Sequence, residues 1–307
     1  MLPFKLVYHE QYDLHLGAHI FPAQKYRLIR QRLLDQGIAS PDDFIEPQPV
    51  SREQLLLVHT EEWIRKLERG KLSYQEVLKL EIPYSRRMVE GVFLAAGGTL
   101  LAARRALSDG AGFNIGGGFH HAFAAHGEGF CAVHDVAVAV RTLQNEGLLR
   151  KALIVDVDVH HGNGTAGIFG PDPGVFTLSI HHFNNYPAVK PPSTIDIHLE
   201  DGVGDAEYLA RLRPACEAAV LGFRPEILFY VAGADPYEDD QLGGLSLTKE
   251  GLYARDRLVF DLALRKHVPV VVTLAGGYAR RTDDTVDLHV QTVVALKESM
   301  KEWARRW

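Results

Sequence analysis

Short runs of consecutive apolar residues recur along the chain, separated by stretches in which the apolar positions follow a helical pattern. The runs are residues 4–8, 152–159, 175–180, 227–231 and 268–274. They are rich in Val, Ile and Phe and mostly bounded by Gly, Pro or charge, as strands buried on both faces are. Helical patterns cover 88–107, long and largely apolar, then 133–143, 206–221, 252–264 and 286–303. Ser51-Arg52-Glu53-Gln54 has the form of a capping box ahead of Leu55, Leu56, Val58 and Trp63. Strands alternating with helices of this length predict an α/β fold of three layers, α/β/α, around a central, mainly parallel sheet. No internal repeat, low-complexity tract or linker rich in Pro, Gly and Ser divides the chain, so residues 1–307 are expected to form a single domain. Ligands of such sheets bind beyond the carboxyl ends of the strands. Chemistry should therefore follow directly after the apolar runs.

Composition narrows the field. A net charge of −6 gives no general attraction for polyanions, and direct nucleic-acid binding is not expected. Two cysteines, Cys131 and Cys216, make no disulfide framework for 307 residues. The first residues lack the basic-then-apolar pattern of a signal peptide, and no uncharged apolar run is long enough to span a membrane. A cytoplasmic protein without membrane contact is expected; oligomeric state is not readable. Histidine changes the picture: there are 15, with adjacent pairs at His120-His121, His160-His161 and His181-His182. Clustered imidazoles point to metal or acid–base chemistry.

The run 152–159 ends in Asp156-Val157-Asp158-Val159-His160. Alternation on a strand places Asp156, Asp158 and His160 on one face. Unpaired buried carboxylates are costly, and a cation would compensate them; Asp-x-His presents an oxygen and a nitrogen, both of which zinc accepts. The other reading is an acidic pair that caps backbone N–H groups at a strand end. A third ligand is available in Asp235, which closes the run 227–231 after Gly233, although an Asp in that place also serves as a helix cap. Gly116-Gly117-Gly118 before His120 and His121 lets the backbone turn sharply or pass close to a ligand. The two imidazoles could act as general base and electrostatic partner, or be hydrogen-bonded loop residues. Tyr278, after Gly276-Gly277, could donate to a developing oxyanion or be an amphipathic rim residue.

Together these motifs resemble the arginase/deacetylase superfamily, specifically zinc-dependent histone deacetylases and their bacterial relatives. The resemblance runs through Val7-Tyr8-His9, Val58-His59-Thr60, Gly116 to His121, Gly129-Phe130-Cys131, Asp156 to Gly164, Ser179-Ile180-His181, Gly233-Ala234-Asp235 and Gly276-Gly277-Tyr278. Asp240 to Ser246 and Arg280-Arg281-Thr282 are most similar to the class IV branch. It implies a deacetylase-like catalytic domain with Asp158, His160 and Asp235 as zinc ligands. His121 would be the general base and later the acid, His120 its electrostatic neighbour held by Asp156, and Tyr278 the group that polarises the substrate carbonyl. Gly129 and Phe130 would line a narrow acyl-lysine channel, and potassium would bind near Asp156 and Ser179, partly through backbone carbonyls. Asn163 stands where many members have Asp as the partner of His121, which should lower the pKa of that imidazole. Ala275 replaces a frequent glycine. Glu81, Tyr84, His19 and Phe21 are candidates for the channel mouth.

The implied reaction is hydrolysis of an N-acyl amide, with acyl-lysine in proteins or peptides as substrate. Acetylated polyamines and small acylated metabolites present a similar amide. A two-manganese ureohydrolase of the arginase type would need a second D-x-D, but Pro236 and Tyr237 follow Asp235. A non-catalytic acyl-lysine binding protein would be expected to have lost one of these site residues.

Overall fold

The structure, a computed structural model, describes residues 1–304. Its eight strands are β1 (Lys5–Val7), β2 (Phe44–Ile45), β3 (Ala111–Asn114), β4 (Ala152–Asp156), β5 (Val175–His182), β6 (Ile195–Leu199), β7 (Ile227–Ala232) and β8 (Val270–Leu274). They form one sheet in the order β2-β1-β3-β8-β7-β4-β5-β6, and every pairing is parallel. The fold is the α/β/α sandwich expected from the sequence.

Strand alternation divides the apolar side chains between two layers. Leu153, Val155, Leu228, Tyr230, Val270 and Val272 face one layer, closed by Ile29 and Leu33 of helix Lys25–Asp35 and by Val259 and Phe260 of helix Lys249–Arg265. Ile154, Phe229, Val231 and Val271 face the other, closed by Ala102, Ala103 and Ala106 of helix Arg86–Asp109 and by Val136 and Val140 of helix Asp135–Asn145. Each fully buried Val or Leu contributes about 1.5–3 kcal/mol, so both faces must be covered, and the near-continuous apolar runs follow from that.

Strands β2, β3 and β6 lie outside the runs seen in sequence. β2 is two residues long and β3 four, too short to register as runs, and β6 is a half-buried edge strand. The capping box at Ser51 is present, with Ser51 Oγ accepting from Gln54 N–H at 3.3 Å and Gln54 Oε1 from Ser51 N–H at 2.8 Å. It opens a helix of only five residues, Arg52–Leu56. Among the described residues no helix is long and apolar enough to cross a membrane.

Helix Arg86–Asp109 approaches its neighbours closely because it is built from small residues. A Cβ at Gly97 would lie 1.8 Å from the Gln48 carbonyl oxygen, a backbone atom that cannot rotate away. Gly97→Ala should therefore destabilise the fold by about 1–3 kcal/mol, the usual range for overpacking. The variant's urea midpoint should fall at unchanged slope; an unchanged midpoint would disprove the contact.

Candidate active site

The loops after β3, β4, β7 and β8 meet at the carboxyl edge of the sheet. On β4 the ladder ends at Asp156, earlier than the apolar run suggests. Asp156 Oδ1 accepts from Asp158 N–H at 3.2 Å, and Asp158 Oδ1 from His160 N–H at 2.9 Å. Side-chain acceptors thus serve these two N–H groups, while Val157 N–H still donates to the Val231 carbonyl of β7 at 3.2 Å. The chain bends over residues 158–160, yet Val155, Val157 and Val159 still pack into one core cluster, as the expected alternation requires.

Asp158, His160 and Asp235 each offer a ligand atom within 4.8 Å of the others, and all three are buried. Asp158 Oδ2 accepts from Gly276 N–H at 2.8 Å and Asp235 Oδ1 from Val159 N–H at 2.8 Å, so backbone fixes both carboxylates. Asp235 Oδ2 has no hydrogen-bond donor among the described residues and lies 3.4 Å from His160 Nδ1. Glycine is needed at 276, where a Cβ would stand 1.9 Å from Asp235 Oδ2.

The charges call for a cation. Burial opposes imidazolium at His160, yet its hydrogen bond to Asp158 and the charges of Asp158 and Asp235 push it up to about 10. Burial also opposes ionisation of Asp158, but His120 and His160 outweigh it and hold the group well below the usual range. Burial and the charge of Asp158 raise Asp235 to about 6. Two buried carboxylates, one of them with an oxygen that accepts no hydrogen bond, and one imidazole form an oxygen–nitrogen–oxygen set that fits zinc with further positions open.

Beside this set, His120 and His121 lie with ring centroids 4.0 Å apart. Gly117 (φ +73°) and Gly118 (φ +74°) make the left-handed turn before them, and the Asp135 carboxylate holds it by accepting from the N–H groups of Gly118 and Phe119 at 2.9 and 2.8 Å. His120 Nδ1 pairs with Asp156 Oδ2 and His121 Nδ1 with Asn163 Oδ1, each at 2.7 Å. Their environments push the two imidazoles apart. His120 rises to about 9, because Asp156 and Asp158 outweigh burial. His121 falls well below its usual value through burial and repulsion from His120 and His160. At neutral pH the pair is thus one imidazolium and one neutral base.

A cavity of about 220 Å³ leads to these groups, walled by Phe21, Phe130, Tyr186 and Tyr278 and touching His121 and His160. Gly129 and Phe130 are held by hydrogen bonds from their N–H groups to the Lys79 and Leu80 carbonyls at 3.2 and 2.9 Å. Phe130 has φ +68°, an uncommon conformation for a side chain that lines a cavity. Burial and the charges of Asp158 and Asp235 raise Tyr278 well above its usual value, so it remains a phenol able to donate. Its backbone is fixed by Asp240 Oδ2, which accepts from Tyr278 N–H at 2.6 Å.

Of the mouth candidates, Phe21 and Glu81 line the cavity, and His19 meets Phe130 edge-on at 5.3 Å. Tyr84 is elsewhere: its hydroxyl donates to the Leu67 carbonyl at 2.9 Å, at the end of helix Glu61–Arg69. Asp156 and Ser179, expected near potassium, are register partners on β4 and β5; Ser179 Oγ pairs with His181 Nδ1 at 2.9 Å. A second grouping, His161, His181 and Asp196, is tied by hydrogen bonds within the chain, His161 Nε2 to Asp196 Oδ1 at 3.1 Å and His181 Nε2 to His198 Nδ1 at 2.8 Å.

Three residues were not visible in sequence. Tyr186 forms a cavity wall edge-on to His121 at 4.9 Å. Lys25 is fully buried and donates to the Ala275 carbonyl at 2.6 Å; burial lowers its pKa to about 8 against the pull of Asp235 and Asp158. Glu128 lies behind Asn163, which donates to it through Nδ2. Only Glu128 carried a signal, since it directly precedes Gly129 and Phe130.

Known proteins resemble this chain along most of its length. The family model of the histone deacetylase domain matches residues 19–294. An uncharacterized protein of Picosynechococcus sp. is 40% identical over 287 residues, covering 93% of this chain and 96% of its own. Histone deacetylase 2 of Arabidopsis thaliana is 30% identical over 288 residues, covering 90% of this chain and 74% of its own. The crystal structure of the HDA15 HD domain superposes with a TM-score of 0.81 at 27% identity, over 95% of this chain and 88% of that one.

Proposed function

The chain belongs to the histone deacetylase family of hydrolases, and from that premise we propose that it is a zinc-dependent amidohydrolase that removes an acyl group from a lysine side chain in a protein or peptide. The observation that carries this reading is the convergence of Asp158, His160 and Asp235 at a cavity that also holds a neutral His121 and a protonated Tyr278.

The metal held by Asp158, His160 and Asp235 would supply Lewis acidity to the carbonyl and to water. The apolar walls Phe21, Phe130 and Tyr186 take the stem of the acylated amine and exclude bulk water. His121 Nε2 accepts the proton of the attacking water and returns it to the leaving nitrogen. The Tyr278 hydroxyl donates to the carbonyl oxygen as negative charge develops there. His120, kept as imidazolium by Asp156, contributes a fixed positive charge beside the reacting carbon. Glu81 in the same wall offers a carboxylate to a second, cationic amine, which keeps acylated polyamines among the substrates to test.

Metal analysis should find about one zinc per chain, as a single three-ligand catalytic site requires. The zinc-loaded protein should turn over members of a panel of acyl-lysine peptides and acyl-polyamines of increasing acyl length. Complete inertness towards the panel at full zinc loading, or two manganese ions per chain, would overturn the proposal.

A further inference from the structure

We infer that Glu128 is a positioning residue for the base: it fixes the Asn163 amide with its oxygen towards His121, which leaves His121 Nε2 free to accept a proton. The inference rests on the hydrolase reading above and concerns the groups behind His121 rather than the reacting atoms.

Both ends of the Asn163 amide are engaged. Its oxygen pairs with His121 Nδ1 at 2.7 Å and its nitrogen donates to Glu128 Oε1. The two ends of an amide are nearly the same size, so the partners decide which way it points. An ionised carboxylate only accepts, and therefore admits only the nitrogen. Burial works against ionisation of Glu128, but hydrogen bonds from His126, Lys79 and Asn163 outweigh it and hold the group down to about 2. Lys79 Nζ stands 2.8 Å and His126 Nε2 3.2 Å from its Oε2. With the amide oxygen turned to His121, Nδ1 must carry the hydrogen and Nε2 the lone pair. The opposite rotamer would turn an N–H towards Nδ1, move the ring proton to Nε2 and remove the base.

The arrangement is thus histidine, amide, carboxylate in line. The anion stands one residue further from the imidazole than in a direct His–Asp pair, so it orients the ring without raising its proton affinity as a contacting charge would. The same carboxylate also fixes a cavity wall, since the Tyr186 hydroxyl donates to Glu128 Oε1 at 3.2 Å. Paired hydrogen bonds between the backbones of Glu128 and Cys131, at 3.1 and 2.9 Å, hold Glu128 beside Gly129 and Phe130.

The test exchanges the order of amide and carboxylate in the zinc-loaded full chain, using the acyl-lysine peptide that the wild type hydrolyses fastest. Asn163→Asp alone sets two carboxylates against each other and should lower kcat by about tenfold or more. Adding Glu128→Gln supplies an amide donor to the new carboxylate and should restore kcat to within about fivefold of wild type, a strongly non-additive cycle. Glu128→Gln alone leaves its single oxygen to Lys79 and His126 and turns an N–H towards Asn163, and Glu128→Ala frees the amide, so each should lose about 10–100-fold in kcat with KM little changed.

A second readout needs no turnover. The 15N–1H correlations of the His121 ring, assigned by their loss in His121→Ala, should show Nδ1–H in wild type and a mixture including Nε2–H in Glu128→Gln and Glu128→Ala. An unchanged tautomer in Glu128→Ala, or an Asn163→Asp effect that is the same with and without Glu128→Gln, would overturn the inference. The isosteric pair keeps that cycle decisive even if the alanine variant does not fold. If no peptide is hydrolysed, the tautomer result still decides the role of Glu128 while the hydrolase reading alone falls.

Discussion

His121→Ala is expected to lower turnover of an acyl-lysine peptide by about 10²–10⁴-fold, the usual contribution of a positioned general base, while bound zinc stays at the wild-type level. The two outcomes separate because His121 is not one of the three converging ligand residues, and its Nδ1 is already engaged by Asn163. Burial and the neighbouring imidazoles keep it neutral, so a lone pair is available at neutral pH. His120 cannot replace it: Asp156 and Asp158 raise it to about 9, so it holds its proton under the same conditions. Tyr278→Phe should act separately, with a loss of about 10²–10³-fold for a missing oxyanion donor, again at full metal content. Rates near wild type in both variants would remove the acid–base assignment. Loss of zinc from His121→Ala would instead make that imidazole part of the metal site.

Much of this was legible in sequence because parallel sheets leave a plain record. Strands such as β4, β7 and β8 are buried on both faces and read as continuous apolar runs, and each is followed by the loop that carries Asp158 and His160, Asp235 or Tyr278. Strand periodicity grouped Asp156, Asp158 and His160, of which only Asp156 lies within β4. The ladder stops at Asp156, and beyond it the carboxylates themselves hold the backbone by accepting from the N–H groups of Asp158 and His160. Capping and ligation, posed as alternatives, are compatible: each oxygen has more than one lone pair, so a carboxylate fixed by a backbone N–H still has capacity for a cation.

What stayed hidden depends on pairings across long sequence separations. Glu128 and Asn163 are 35 residues apart, and Lys25 and Ala275 are 250 apart. A lone Glu or Lys in a polar stretch carries no periodicity to mark it. Tyr186 lies in a loop without hydrophobic pattern, and Tyr84 was set at the channel mouth only by its place in the chain. The short strands β2 and β3 are invisible for a related reason: two to four residues cannot display a period, and their placement follows from the sheet around them.

Arg255 belongs to that hidden set, and its removal should be the most destabilising single change proposed. The side chain is 2% exposed and projects from helix Lys249–Arg265 beneath the site. Its guanidinium donates to the Val157 and Gly233 carbonyls at 3.2 and 2.9 Å and to Asp256 Oδ1 at 2.9 and 3.0 Å. Val157 immediately precedes Asp158, and Gly233 lies two residues before Asp235, so one side chain braces both carboxylate loops from below. Arg255→Met retains apolar length but leaves two carbonyls and a buried carboxylate without their cation. Breaking a buried pair in this way costs about 3–5 kcal/mol, a large part of the roughly 5–15 kcal/mol that holds a typical protein folded. The urea midpoint should drop accordingly, and zinc should be lost at a lower chelator concentration than from wild type. Asp256 keeps hydrogen bonds from Tyr230 Oη at 2.5 Å and Thr292 Oγ1 at 2.7 Å, so Arg255→Met with Asp256→Asn should regain part of the stability by removing the stranded charge. Zinc retention should not return with it, because the Val157 and Gly233 carbonyls are still unheld. Recovery of both properties in the double variant would mean that Arg255 serves Asp256 alone and that the loops bearing Asp158 and Asp235 hold their places without it.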